Sequence, residues 1–438
     1  MLERRVSQTY KRLLKLGPDR LKLGASLAFN LIAKLPGIAA VFFILPLVSR
    51  SLGTAAYGEL LSALAIGSVF NLPFGGINAV GRRLLAKAVG AEDRTQQANV
   101  FVTTIALMSM VASVCTVAMI AVTARGWSRP IFIFMCTLPT IAGACNIFDN
   151  LRASFNEVYI TSIFLFATQV IVYAAVYFFG LPQGGVAMSG LALQAPYILA
   201  SWMSLATMLV QRPYLSSGKL EGMGQMLLPT LGVVMADGAL AILLNLTVYW
   251  LNVVGSKDMA AWLGTFSRLF QTFTGPVLLV LFPISSYVSI RWERMTARRQ
   301  ALLYDLFMVV GSGFGILIGV AMAFAGPLYI NHMFKLSAAG DRMDLAAISL
   351  FMAAVIAQKA YTMLLYAVTE ARFVSFGTAI VAAAGLALAA CCSHWLSPMA
   401  VIDTLYAFIG FALPVLMVIA AVRHRRIIHR STLSTSVT

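Results

Sequence analysis

Long apolar runs recur along the chain, commonly 18 to 25 residues with at most one charge in each. A helix rising 1.5 Å per residue crosses about 30 Å of hydrocarbon in such a run. Only 11% of the 438 residues are charged and 60% are hydrophobic. A soluble domain carries about 25% charged residues, and one soluble core could not hide this much apolar side chain. The surplus must face lipid.

Spans are read at about 23–48, 59–80, 101–124, 131–149, 159–180, 186–210, 225–253, 260–289, 301–329, 343–369, 372–392 and 398–422. Spans ten and eleven nearly fuse around Glu370, leaving eleven or thirteen helices as alternatives to twelve. The predicted fold class is an all-α polytopic membrane protein of about twelve transmembrane helices, arranged as two six-helix lobes around a central cavity. The predicted layout is a basic amphipathic or flexible N-terminus (1–22), a first lobe (23–210), an inter-lobe linker (211–224), a second lobe (225–422) and a basic tail (423–438). Residues 1–22 hold seven Lys or Arg and no apolar core, unlike a cleavable signal peptide.

The formal charge of +16 is spread in a directional way. With the N-terminus inside, cytoplasmic segments hold 23 Lys or Arg and outer segments hold 6, while Lys34, Arg268 and Lys359 lie within spans. That asymmetry is the positive-inside pattern. It argues against a nucleic-acid surface, which would gather its positive charge on one face. Both termini are predicted cytoplasmic, in a bacterial inner membrane. Trp127, Trp250, Trp262 and Trp395 fall near the predicted outer interface and Trp292 near the inner one, where indoles concentrate. Trp202, inside span six, packs against a helix or lines a cavity. The five cysteines read as small buried hydrophobes, with neither metal-binding nor disulfide spacing.

All connections are short and no GxxxxGK[ST] phosphate loop is present. No folded ATPase fits in this chain, and no enzyme constellation stands out around His332, His394, His424 or His429. The last two are assigned to a disordered tail. No cofactor is implied. Energy would come from a proton or sodium gradient, the membrane potential or removal of product.

Intramembrane charges are costly and usually face a bundle interior or wet cavity. Lys34 is followed by Pro36-Gly37, with Asn30 one turn earlier on the same face. Arg268 precedes Gln271 and Pro276. Lys359 lies beside Gln358 in span ten. Lys34, Arg268, Lys359, Asn30 and Gln271 are the candidate substrate contacts, and an ion pair or snorkelling is the structural alternative for the cations. Asp237 is read as an ion-coupling group or a partner for Lys34 or Arg268. Arg82, Arg83, Asp149 and Asp305 are placed at a gate or cytoplasmic entrance, with Asp305 also able to pair with the cluster at 291–299. Three mid-span cations against one clear acid describe an electropositive cavity, suited to an anionic amphiphile.

A weak internal echo joins Leu52-Gly53-Thr54 with Tyr57 to Leu263-Gly264-Thr265 with Trp262. The segment Leu45-Pro46-Leu47-Val48-Ser49-Arg50-Ser51-Leu52-Gly53-Thr54-Ala55-Ala56-Tyr57-Gly58-Glu59-Leu60, with the run to Arg82-Arg83, resembles the first-to-second-helix junction of Wzx-type polysaccharide flippases. These form the oligosaccharide/polysaccharide exporter branch of the multidrug/oligosaccharidyl-lipid/polysaccharide exporter (MOP) superfamily. The specific match is confined to residues 45–85. The resemblance implies two six-helix lobes in alternating access and an undecaprenyl-pyrophosphate-linked glycan as substrate. It implies a polysaccharide polymerase and export machinery as partners. Relatives that flip peptidoglycan precursor use basic residues in helices one, two and eight. Lys34 and Arg268 match the first and last by helix, and helix two has no mid-span basic residue here. The alternatives are a cation-coupled multidrug exporter and a non-transporting scaffold of a glycan-assembly complex.

Overall fold

The computed structural model describes residues 18–126, 130–179, 185–234, 239–254, 256–292, 295–336, 344–368 and 372–435. Its described residues are helical almost throughout. In lipid every backbone polar group must be satisfied within the chain, and a helix does this within one segment. The helices are α1 (Pro18–Val69), α2 (Leu72–Gly90), α3 (Arg94–Gly126), α4 (Pro130–Ala153), α5 (Val158–Phe179), α6 (Gly185–Gln211), α7 (Met223–Val233), α8 (Ala239–Val253), α9 (Lys257–Arg291), α10 (Ala297–Phe334), α11 (Leu345–Val368), α12 (Arg372–Cys392) and α13 (Pro398–Thr435). Among the described residues nine helices are long and apolar enough to cross a membrane. The protein is an all-α, multi-pass membrane protein.

Two breaks shape the first half. α1 is two helices meeting at Gly53, whose φ of 75° lies where a side chain is strained. The chain turns there within one residue. A second break at Phe70-Asn71 separates α1 from α2, inside the span expected at 59–80. It is docked onto α4. The Asn71 amide donates to the Pro139 carbonyl at 2.8 Å, and the Thr140 hydroxyl donates to the Gly67 carbonyl at 3.3 Å. Neither Gly67 nor Gly143 has room for a Cβ at this junction: the Cys136 carbonyl crowds one and the Asn71 amide the other.

Helices α10 and α11 pack through a repeat of small residues. Gly311, Gly315 and Gly319 recur every four residues on one face of α10 and meet Ala360, Ala353 and Ser349 of α11. Close backbone approach of this kind substitutes for the hydrophobic driving force that lipid removes. α11 is enclosed accordingly, with Phe351, Val355, Tyr361 and Leu364 fully buried.

Contacts between α1 and α9 seal one end of the bundle. The Tyr57 and Thr265 hydroxyls are bonded at 3.2 Å, and Lys257 Nζ donates to Glu59 Oε1 at 2.7 Å. Leu61 fills the space over Gly264, and the Lys257 carbonyl sits against Gly58. The two echoing segments therefore pack against each other. Arg50 adds a bond to the Met333 carbonyl at 3.2 Å.

Some sequence expectations are corrected. Trp262 is not interfacial. It is wholly buried in this seal and stacks on Phe266 at 5.1 Å. Trp395, by contrast, is 83% exposed, in keeping with an interfacial indole, and Trp202 packs against Phe148 as one of its two readings expects. Cys115, Cys136 and Cys145 are buried, but Cys391 is exposed. The tail is not disordered at its start. α13 runs on to Thr435, and His424 is buried, bonded to the Tyr361 hydroxyl at 2.7 Å and stacked on Tyr304. Hydropathy falls at Arg423, but the helix continues and still buries His424. Asp305 pairs with Arg425 of this tail at 2.6 Å. The segment between α6 and α7 is tied to α3: Tyr214 donates to Gln97, and Asn99 donates to Glu221.

Candidate functional site: a polar cavity between α1, α4, α6 and α9

A cavity of about 450 Å³ lies within the bundle. α1 contributes Lys34 and Gly37 before its break and Ser68 after it, and Asn71 stands between α1 and α2. α4 contributes Asn146 and Asp149, α6 contributes Gln194, Tyr197 and Ser201, and α9 contributes Arg268 and Gln271. The breaks at Gly53 and Asn71, with proline at 36 and 139, let these helices diverge around a space that straight helices would close.

Lys34 and Arg268, more than two hundred residues apart in sequence, line the same cavity. Both are partly buried. Among the described residues neither cationic head forms a salt bridge. Asp149 shares the cavity and is held by the Ser201 hydroxyl, which donates to Oδ2 at 2.8 Å. Its buried Oδ1 has no hydrogen-bond partner among the described residues. The described lining thus holds two cations and one acid, with Asn71, Asn146, Gln194 and Gln271 as neutral polar groups.

The structure divides the other predicted site residues. Gln271 lines this cavity and also a smaller one of about 90 Å³, where it meets Lys359. Lys359 is thus separated from the pair formed by Lys34 and Arg268. Asn30 lies on α1, but its side chain is outside the described residues, as is Asp237 altogether. Asp149, expected at an entrance, is in the cavity wall. Arg82 and Arg83 are on α2 and do not line the cavity; the Arg82 carbonyl instead accepts from the Ser154 hydroxyl at 2.9 Å. Asp305 lies elsewhere, in the exposed pair with Arg425.

Asn71 and Ser201 were missed from sequence. Both are neutral, so the cost of burying charge does not single them out. An Asn just before a Leu-Pro helix start was the one available signal for the break.

The whole architecture has counterparts among solved structures. A MATE in the straight conformation aligns at a TM-score of 0.68 and 12% identity, covering 96% of this chain and 98% of the other. The fold is the MATE fold. A multidrug resistance MATE transporter of the MOP superfamily in an outward-facing conformation aligns at 0.65 and 14% identity, over 96% and 98%. A MOP superfamily transporter from Pyrococcus furiosus, described as having a binding pocket of reverse polarity that suggests a different function, aligns at 0.66 and 12% identity, over 95% and 97%. No protein-family model matches the chain. No curated protein matches it by sequence either. The MATE fold is common ground here, while the cavity residues belong to this chain.

Proposed function

We propose that this protein is a transporter that moves an anionic lipid-linked oligosaccharide between membrane leaflets by alternating access. The observation that carries this reading is the meeting of Lys34 and Arg268 in one cavity without a salt-bridge partner among the described residues. A guanidinium and an ammonium in a place of low dielectric attract phosphate oxygens strongly, and the guanidinium does so with two parallel bonds. The polar amides around them suit a hydroxylated head that hydrocarbon would leave unsatisfied.

In this reading twelve spans form two lobes, and the seal of Tyr57, Glu59, Lys257 and Thr265 is the closed outer gate. The orientation rests on the excess of cytoplasmic Lys and Arg. The lipid carrier is undecaprenyl pyrophosphate, and a polymerase takes over the delivered glycan.

A second reading, a cation-coupled multidrug exporter, is favoured by the fold likeness taken alone, since two of the similar structures are described as multidrug resistance transporters. Asp149 would then be the cation site. Purified protein in liposomes separates the two. The first reading expects translocation of a pyrophosphate-linked oligosaccharide and no efflux of quaternary amines. Efflux of quaternary amines that depends on Asp149, with no glycan-lipid movement, would overturn it.

A further inference from the structure

The polar cavity has an apolar neighbour. A groove of about 500 Å³ runs between α1 and α5, with Leu35, Phe43, Phe166 and Phe178 in its walls. Leu35 is 58% and Phe178 76% exposed, so the groove opens to the surface that lipid would cover. Ala40 and Tyr173 line both the groove and the polar cavity. One wall of two side chains therefore separates a place for a charged head from a place for a chain.

The seam between α1 and α5 contains an unsettled group. Gln169 is wholly buried against Gly37, and neither its Nε2 nor its Oε1 has a hydrogen-bond partner among the described residues. A buried amide without partners disfavours the closed seam. Parting α1 from α5 would give that amide a water or a substrate hydroxyl to bond. The absence of a side chain at residue 37 leaves no interlocking contact there to resist parting.

We propose that the α1–α5 seam is the lateral portal of the transporter. A lipid with a phosphate or pyrophosphate head holds that head at Lys34 and Arg268 while its single hydrocarbon chain lies in the groove from Leu35 toward Phe43. The carrier chain then leaves the protein within the first half, not between the two lobes. This rests on the anionic reading of the cavity.

The test uses full-length protein in nanodiscs and an alkyl phosphate with a diazirine in the distal half of its chain. The same chain on an alcohol head and on a trimethylammonium head provides the comparison. The phosphate probe is expected to label peptides within 35–44 and 166–178 at least fivefold more than the alcohol probe. Ala39→Trp and Ala174→Trp, which fill the groove, should reduce that labelling several-fold. Ala175→Trp, on the same helix but outside the groove, should not. Gln169→Leu should raise the melting temperature and reduce labelling, whereas a purely structural Gln169 would change only the first. Equal labelling by all three heads would mean that bulk lipid fills the groove, and would overturn the portal. Phosphate-dependent labelling of α9 and α10 alone would overturn the portal while sparing the anionic cavity. Preference for the trimethylammonium head would overturn the anionic cavity itself.

Discussion

Two regions of the molecule contain the same charges and use them differently. At the junction of α4, α5 and α6, Arg152 and Arg212 surround Glu157. In the cavity, Lys34 and Arg268 accompany Asp149. Each region has two cations and one carboxylate. At the junction, Arg152 is completely buried and donates to the Ser204 carbonyl, the Thr207 hydroxyl at 2.6 Å and the Gln211 amide oxygen at 2.7 Å. Arg212 grips Glu157 with two bonds of 2.6 and 3.1 Å and lies over the Phe155 ring at 4.2 Å. In the cavity the described residues give the cations no such partners, and Asp149 keeps one oxygen unbonded. Charges that the protein itself pairs and bonds hold helices together, whereas charges without such bonds in a cavity are available to a ligand.

The strongest way to break this contrast is to treat the two regions alike. Arg152→Ala removes three charge-assisted bonds from a buried site and leaves Glu157 to Arg212 alone, which should cost about 3–5 kcal/mol. The expected outcome is loss of folded protein by size-exclusion chromatography of the detergent-solubilised variant. A stable Arg152→Ala protein would show that the junction is not a clamp. Lys34→Ala and Arg268→Ala should behave oppositely. Each removes a charge-assisted contact of about 1.5–3 kcal/mol, so substrate-head affinity should fall roughly 10- to 150-fold while the melting temperature stays within a few degrees. Direct titration of a pyrophosphate amphiphile beside a thermal scan reads both quantities.

Asp149→Asn sharpens the contrast within the cavity. Removing its one described acid should raise affinity for the anionic head by about threefold to tenfold, as expected for a charge several ångströms away in a medium of intermediate dielectric. Loss of transport of a cationic compound on the same substitution would instead support the exporter reading. The smallest effect is expected from Asp305→Asn. The Asp305–Arg425 pair has side chains 42% and 64% exposed, so its loss should cost at most about 1 kcal/mol. A larger drop in thermal stability would show that the tail of α13 is held more firmly than this pair suggests.

Much of the fold was legible because hydropathy needs no knowledge of partners. Most of the long apolar runs coincide with helices, and Gly53 lies where the sequence places a connection. What was not legible depended on neighbours. The run at 59–80 hides the break at Asn71, because a helix interruption satisfied by α4 leaves no trace in hydropathy. Trp262 was assigned to an interface by the usual preference of indoles, but the contact of α1 with α9 buries it. Arg152 lies just past the run at 131–149 and reads from sequence only as a loop charge, since its partners Thr207 and Gln211 lie on another helix. In the cavity, Lys34 and Arg268 were legible from the cost of charge in hydrocarbon. Asp149 was assigned to an entrance because it stands near the end of its helix, and its place in the cavity wall depends on neighbours from other helices. Lys359 carried the same signal as Lys34, and the packing of α11 directs it to a different pocket.

The most direct measurement of the central claim is binding of a short-chain pyrophosphate amphiphile to the purified protein and to the Lys34→Ala/Arg268→Ala double variant, compared with a quaternary amine of equal chain length. Saturable binding of the pyrophosphate compound, lost in a double variant that still unfolds at the wild-type temperature, is the result predicted here. Equal pyrophosphate binding by both proteins, or saturable binding of the quaternary amine alone, would contradict the assignment of this cavity to an anionic substrate.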